Sequence, residues 1–242
     1  MKDFFLRARH YVLFIPLILP NVASLYFQFK YMKWISNFQQ EVIAGANPVD
    51  YLYGFDLAEY RTTFLVFLLM YTIAVATQFG WWYRVSTGLR KYLPEGTNLK
   101  PKRFRIALVV AVLYTVFTIV GQLYAFEWAG DKIPGLLEIV SSEQAPDPEM
   151  MQGFISNFFK VWLMLLPVGV FGFAAMAYLA YYAGKTIRCI EEEKPVRGGA
   201  VAGYAILSFL LYIGIWILQP KIRRLLETGR MKDLQANVWE VK

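Results

Sequence analysis

Five stretches of this chain hold no Asp, Glu, Lys or Arg: Tyr11–Phe29, Thr62–Tyr83, Ile106–Phe126, Val161–Gly184 and Gly198–Pro220. Each has about the 20 apolar residues needed to cross a hydrocarbon core. A backbone in lipid must satisfy its own hydrogen bonds, so these stretches are expected to be helices. The period-2 alternation of a transmembrane barrel is absent. The predicted fold is therefore all-α, a polytopic transmembrane helix bundle of four full spans plus a fifth apolar segment. Only 18% of the residues are charged, against about a quarter in a soluble domain. One bundle over residues 1–220 and a basic amphipathic tail over 221–242 account for the length.

Punctuation agrees with this division. Asp56-Leu57-Ala58-Glu59 reads as an N-cap with a carboxylate at the third helical position. Asp147-Pro148-Glu149 reads as a second start, with Pro at the first helical position. A helix from there to Gly184 is too long for a bilayer. It must project, break at Gly153 or kink at Pro167. Pro16 and Pro20 predict a bend in the first span. Lys2, Arg7 and Arg9 before an apolar run look like the start of a signal peptide, but no clean small-x-small site follows. That run is read as the first membrane anchor.

Lys and Arg set the orientation. Arg84, Arg90, Lys91, Lys100, Lys102, Arg103 and Arg105 face a single acid, Glu95, in the loop after the second stretch. That loop and the N-terminus are expected in the cytoplasm, with the acidic segments 30–61 and 127–160 outside. Five full spans would leave 14 basic residues inside and 11 outside. A fifth stretch that is re-entrant or interfacial gives 20 and 5. The charge rule favours the second partition, although length alone favours a span. Gly203 and Gly214 are the positions where a break is expected. The net charge of +7 is assigned to orientation and to contact with anionic lipid, not to nucleic acid, because the basic residues flank apolar segments.

Further stretches carry interfacial character. Ile222, Leu225 and Leu226 share a helical face within Lys221–Asp233, as expected of a helix on the membrane surface. Trp34, Ile35, Phe38 and Val42 form a similar outer stripe. Tyr51, Tyr53, Phe55 and Tyr60 outside, and Trp81 and Trp82 inside, are assigned to the interfaces.

The sequence offers little chemistry. No ionisable residue lies within the five stretches, which argues against a proton-coupled carrier. Asn21, Gln78 and Gln122 are the candidate polar pathway, though such groups more often bond helix to helix. His10 is the only histidine and Cys189 the only cysteine, so no catalytic residue, metal site or cofactor is assigned. Cys189 is a candidate for acylation or an unmodified boundary thiol, and Glu191-Glu192-Glu193 reads as a solvated patch. Small residues are more informative. Ala76 and Gly80, Gly169 and Gly172, Ala180 and Gly184, and Gly199 and Gly203 are spaced for close helix approach, within the bundle or against a partner.

Two regions resemble a known group. Val85-Ser86-Thr87-Gly88-Leu89 with Leu93-Pro94-Glu95-Gly96 is one, and Gly214-Ile215-Trp216-Ile217-Leu218-Gln219-Pro220-Lys221-Ile222 is the other. Together they are similar to an uncharacterised family of bacterial polytopic membrane proteins with a GIWxxQPxI ending. That family often places a Pro just before the glycine, which implies a break there. Tyr212-Ile213 stand in its place in this chain. The resemblance brings no activity and no functional residue. The expected function is a non-enzymatic membrane subunit or accessory factor in contact with lipid and with a protein partner or a second copy. A small transporter or channel is the alternative.

Overall fold

The computed structural model describes residues 4–44, 57–141 and 148–231. Among them the regular elements are helices: α1 (Phe4–Arg7), α2 (His10–Ile43), α3 (Leu57–Gly88), α4 (Pro101–Ser141), α5 (Pro148–Glu191), α6 (Ala202–Phe209) and α7 (Leu211–Thr228). Short 3-10 turns cover Arg90–Tyr92 and Gly198–Val201. Four segments are long and apolar enough to cross a membrane: His10–Trp34, Arg61–Gly88, Pro101–Glu127 and Leu166–Glu191. They overlie the first four uncharged stretches.

The helices are longer than their apolar segments. α5 runs for 44 residues, about 66 Å at 1.5 Å per residue, without breaking at Gly153 or at Pro167. α2 is continuous through Pro16 and Pro20. The outer stripe that begins at Trp34 is thus a continuation of α2 rather than a separate surface helix. The caps expected at Asp56 and Asp147, and the interfacial Tyr51, Tyr53 and Phe55, lie outside the described residues. So do the side chains of Ile35, Phe38, Val42 and Tyr60.

The fifth stretch does not form one helix. α6 and α7 meet at an angle of 113°. The break falls at Leu210, not at Gly203 or Gly214. Gly214 contributes in another way. A Cβ there would lie 1.9 Å from the carbonyl oxygen of Leu207, so only glycine lets the start of α7 fold back on the end of α6.

The chain divides into two compact units. The first comprises Met1–Pro20, Met70–Ala111 and Phe173–Lys242, and the second Asn21–Leu69 and Val112–Gly172. The first unit has a dense core in which Trp81, Trp82, Phe104, Tyr182, Ile215, Leu218 and Ile222 are fully buried. In lipid such a core is held by close packing more than by release of water. α7 continues through residue 220 without interruption, and Ile222 and Leu225 are buried in that core. The boundary expected at 220/221 therefore falls inside a helix, and this apolar face is turned to protein rather than to lipid. In the second unit the rings of Phe64 and Phe126 stack 4.5 Å apart. Arg61 and Glu127 form an exposed ion pair at 3.7 Å there.

Candidate functional site

The break at Leu210 frees the last carbonyls of α6. In an apolar setting an unpaired carbonyl costs several kcal/mol, on the order of the amide transfer penalty. Two side chains of α3 meet this need. The Trp82 indole donates to the Ser208 carbonyl, and the Gln78 amide to the Phe209 carbonyl, both at 3.0 Å. Helical spacing on α3 puts Gln78 and Trp82 one turn apart on one face.

A second polar knot lies one turn from Ile215. Gln219, fully buried on α7, turns its amide nitrogen to the carbonyls of Phe5, Leu6 and Ala8 at 2.9, 3.1 and 3.0 Å. Its amide oxygen accepts the Trp81 indole N–H at 2.9 Å. α1 is only four residues long, so these carbonyls have no onward helix to bond to. Gln219 acts as their cap. Trp81 fixes the orientation of the amide, because the opposite one would set its oxygen against three carbonyls. Phe5 then packs on Gly80, and Leu6 on Gly88.

The third feature joins the ends of the α6–α7 hairpin. Lys221 lies 2.5 Å from one carboxylate oxygen of Glu191. Tyr204 donates its hydroxyl to the other oxygen, and Arg188 reaches that oxygen at 3.1 Å. Lys221 also donates to the Tyr204 hydroxyl at 2.8 Å, and Arg188 pairs with Glu192 at 3.1 Å. Tyr204 near the start of α6 and Lys221 on α7 thus meet on the last residue of α5. The 17-residue excursion between them returns to its point of departure, so the fifth stretch is a bent pair of helices and not one straight helix.

Comparison with family models, with curated proteins and with solved structures finds no match to this chain. The functional reading therefore rests on where the structure puts each residue.

The residues of the candidate polar pathway belong to different units. Gln78 is in the first unit and is engaged at the α6 terminus. Asn21 and Gln122 belong to the second unit and are exposed. The small residues divide into two sets. Gly80 receives Phe5, and Gly184 lies against the backbone of Tyr204 and Ala205, where a Cβ would come within 2.6 Å. Ala180 is buried, and Gly172 faces the ring of Tyr114. Gly169, Gly199 and Gly203 have no neighbour within 4 Å of a Cβ position, and Ala76 is exposed. Of the basic loop, Arg90, Lys91, Lys100, Lys102, Arg103 and Arg105 are exposed and Arg84 is half-buried.

Three assignments change. Trp81 and Trp82 are fully buried hydrogen-bond donors, not interfacial anchors. Glu191 is buried in an ion-pair cluster, so only Glu193 of the acid triplet is fully exposed. Cys189 is buried and accepts the Val196 N–H through its sulfur, which removes it as an acylation site. Among the described residues no group of three or more His, Cys, Asp or Glu is placed to hold a metal ion. Gln219 was missed as a site residue. Its signal is a glutamine between Leu218 and Pro220, two residues before a lysine, in an otherwise apolar run.

Proposed function

We propose that the chain is a non-enzymatic integral membrane subunit or accessory factor. Its compartment is the bacterial inner membrane, as the family resemblance implies, with both termini in the cytoplasm. Charge supports the orientation. The residues of the first unit hold 20 of the 25 Lys and Arg against 8 of the 18 acids, and those of the second hold 5 against 10. A bilayer sorts basic segments to its cytoplasmic side. A cavity lined by Tyr92 and Pro94 together with Leu225 and Arg230 supports a shared side for the basic segment after Pro220 and the loop before Pro101.

The observation that carries the functional reading is the use made of the buried and half-buried polar groups. Gln78, Trp81, Trp82 and Gln219 are all engaged in holding the hairpin and α1. These bonds support an architectural role for the four side chains. Ala76, Gly169, Gly199 and Gly203 keep small, open positions on the surface, where a partner helix approaches closely.

Purification in mild detergent with mass spectrometry of the intact assembly tests the proposal. A second polypeptide or a second copy at fixed stoichiometry is the expected result. A lone monomer under several gentle conditions overturns it. Uptake of small polar solutes into vesicles holding the pure chain would favour the transporter reading instead.

A further inference from the structure

The start of α4 is electrostatically unusual. The first turn of a helix has unpaired N–H groups and the positive end of the helix dipole, and it normally attracts acids. Here the first turn has no acid and carries Lys102 and Arg103, with Lys100 just before and Arg105 just after. α5 packs beside it through the Phe104 and Tyr182 rings, 4.7 Å apart. Tyr178, Tyr181, Tyr182 and Lys185 share one face of α5 at helical spacing. Arg103 is within electrostatic reach of Tyr178, and Arg90 of Tyr182. Lys185 lies 5.8 Å from the Tyr181 ring centre and reaches the Asn98 carbonyl at 3.4 Å. None of Arg90, Arg103 and Lys185 pairs with a carboxylate among the described residues. The nearby Glu191 and Glu192 are already engaged by Lys221 and Arg188.

Like charges around a positive helix end repel one another unless an anion lies among them. Tyrosine hydroxyls beside the cations add donors suited to phosphate oxygens. Along α4 the next turns present exposed Ile106 and Val110, three and seven residues after Arg103 and so on its face of the helix. An apolar strip running away from a cationic head matches an acyl chain below a phosphate. Basic pockets between transmembrane helices on the cytoplasmic side are where anionic lipid headgroups bind.

We propose that Arg90, Arg103 and Lys185, with Tyr178 and Tyr181, form a discrete site for the phosphate headgroup of an anionic phospholipid between α4 and α5. The site rests on the reading of this basic end as the inner-leaflet side. It goes beyond a general attraction to the bilayer, because it names one place where a single lipid headgroup is held.

The test uses the full-length chain in neutral detergent, titrated with phosphatidylglycerol, phosphatidylcholine or inorganic phosphate, with bound lipid counted by native mass spectrometry. Binding in detergent does not depend on sidedness or on a partner, so failure here is distinct from failure of the proposed topology. The expected result is saturable phosphatidylglycerol binding with little phosphatidylcholine. Each of Arg90→Gln, Arg103→Gln and Lys185→Gln weakens it about fivefold, and the three together on the order of a hundredfold. An Arg223→Gln/Arg230→Gln control keeps wild-type binding. The site is overturned if the triple variant binds as the wild type does, or if the control loses as much, which would mean diffuse charge. Displacement of the lipid by millimolar phosphate would overturn the lipid as occupant. If the triple variant melts early, the three single variants decide the matter, because Arg90 and Arg103 are exposed.

Discussion

Lys221 and Glu191 lie 2.5 Å apart, on helices that a 113° bend and a tight 3-10 turn bring back together. This contact makes the last apolar stretch a closed loop in space. Glu191 is nearly buried, so removing its cation leaves a carboxylate with less compensation. Lys221→Met is expected to destabilise the protein by about 2 kcal/mol, less than a fully buried pair because Lys221 is partly exposed. Glu191→Gln should cost a similar amount. Thermal unfolding in detergent of the two single variants and the double should give a coupling energy of about 1 kcal/mol or more. Strict additivity would mean that the contact does not hold the hairpin.

Gln219→Glu is expected to be among the most damaging single-atom changes available. It keeps an acceptor for Trp81 but replaces the donor that serves Phe5, Leu6 and Ala8 with a second oxygen. Carbonyls left facing an acceptor in a buried site cost about 1–3 kcal/mol, and more if the carboxylate is charged. Limited proteolysis should then cut near Arg7 or Arg9 in the variant and not in the wild type. Equal resistance would show that α1 is held by its Phe5 and Leu6 packing alone.

Much of the fold was legible in the sequence because lipid imposes a length and forbids charge. Four uncharged stretches became four apolar helices for that reason. The hairpin was legible chiefly through charge, with the glycines and the family resemblance as further signs of a break. Gly198–Pro220 has the length of a span, but the positive-inside rule disfavours export of the six cations that follow, from Lys221 to Lys242. The site was less legible. Trp81 and Trp82 carry the signature of an interface, since a tryptophan near basic residues usually marks one. What buries them is a segment more than 120 residues later in the chain, and no local pattern carries that pairing. Glu191 looked solvated because its partners, Tyr204 and Lys221, are brought to it by the hairpin.

Gly214→Ala is expected to open or distort the hairpin. The added methyl would overlap the Leu207 carbonyl, a backbone atom with no rotamer to yield. Overpacking of this kind costs about 1–3 kcal/mol or more. Gly203→Ala, four residues after Gly199 on the open surface, should leave the melting point of the isolated chain unchanged. Any effect of Gly203→Ala should appear only in the assembled complex. A parallel loss of stability in both variants would remove Gly203 from the proposed partner surface.

The chain's own cysteine makes its sidedness simple to test. Cys189 is fully buried, so it should stay unlabelled by maleimide in the folded protein and react only after denaturation. New cysteines can therefore be added to the native background. Lys91→Cys in the basic loop and Arg230→Cys after α7 replace exposed residues. Both should react with a membrane-impermeant maleimide in inverted vesicles and resist it in intact spheroplasts. Glu127→Cys, also at an exposed position, should show the opposite pattern. The physical basis is the bilayer cost of ends on opposite faces. Tyr204 and Lys221 share one carboxylate, and a crossing helix would hold them about 25 Å apart at 1.5 Å per residue. Labelling of Arg230→Cys from the outside, with Lys91→Cys inside, would require that contact to be broken in the membrane. The fifth stretch would then be a true span, and the tail's basic residues would stand against the positive-inside rule.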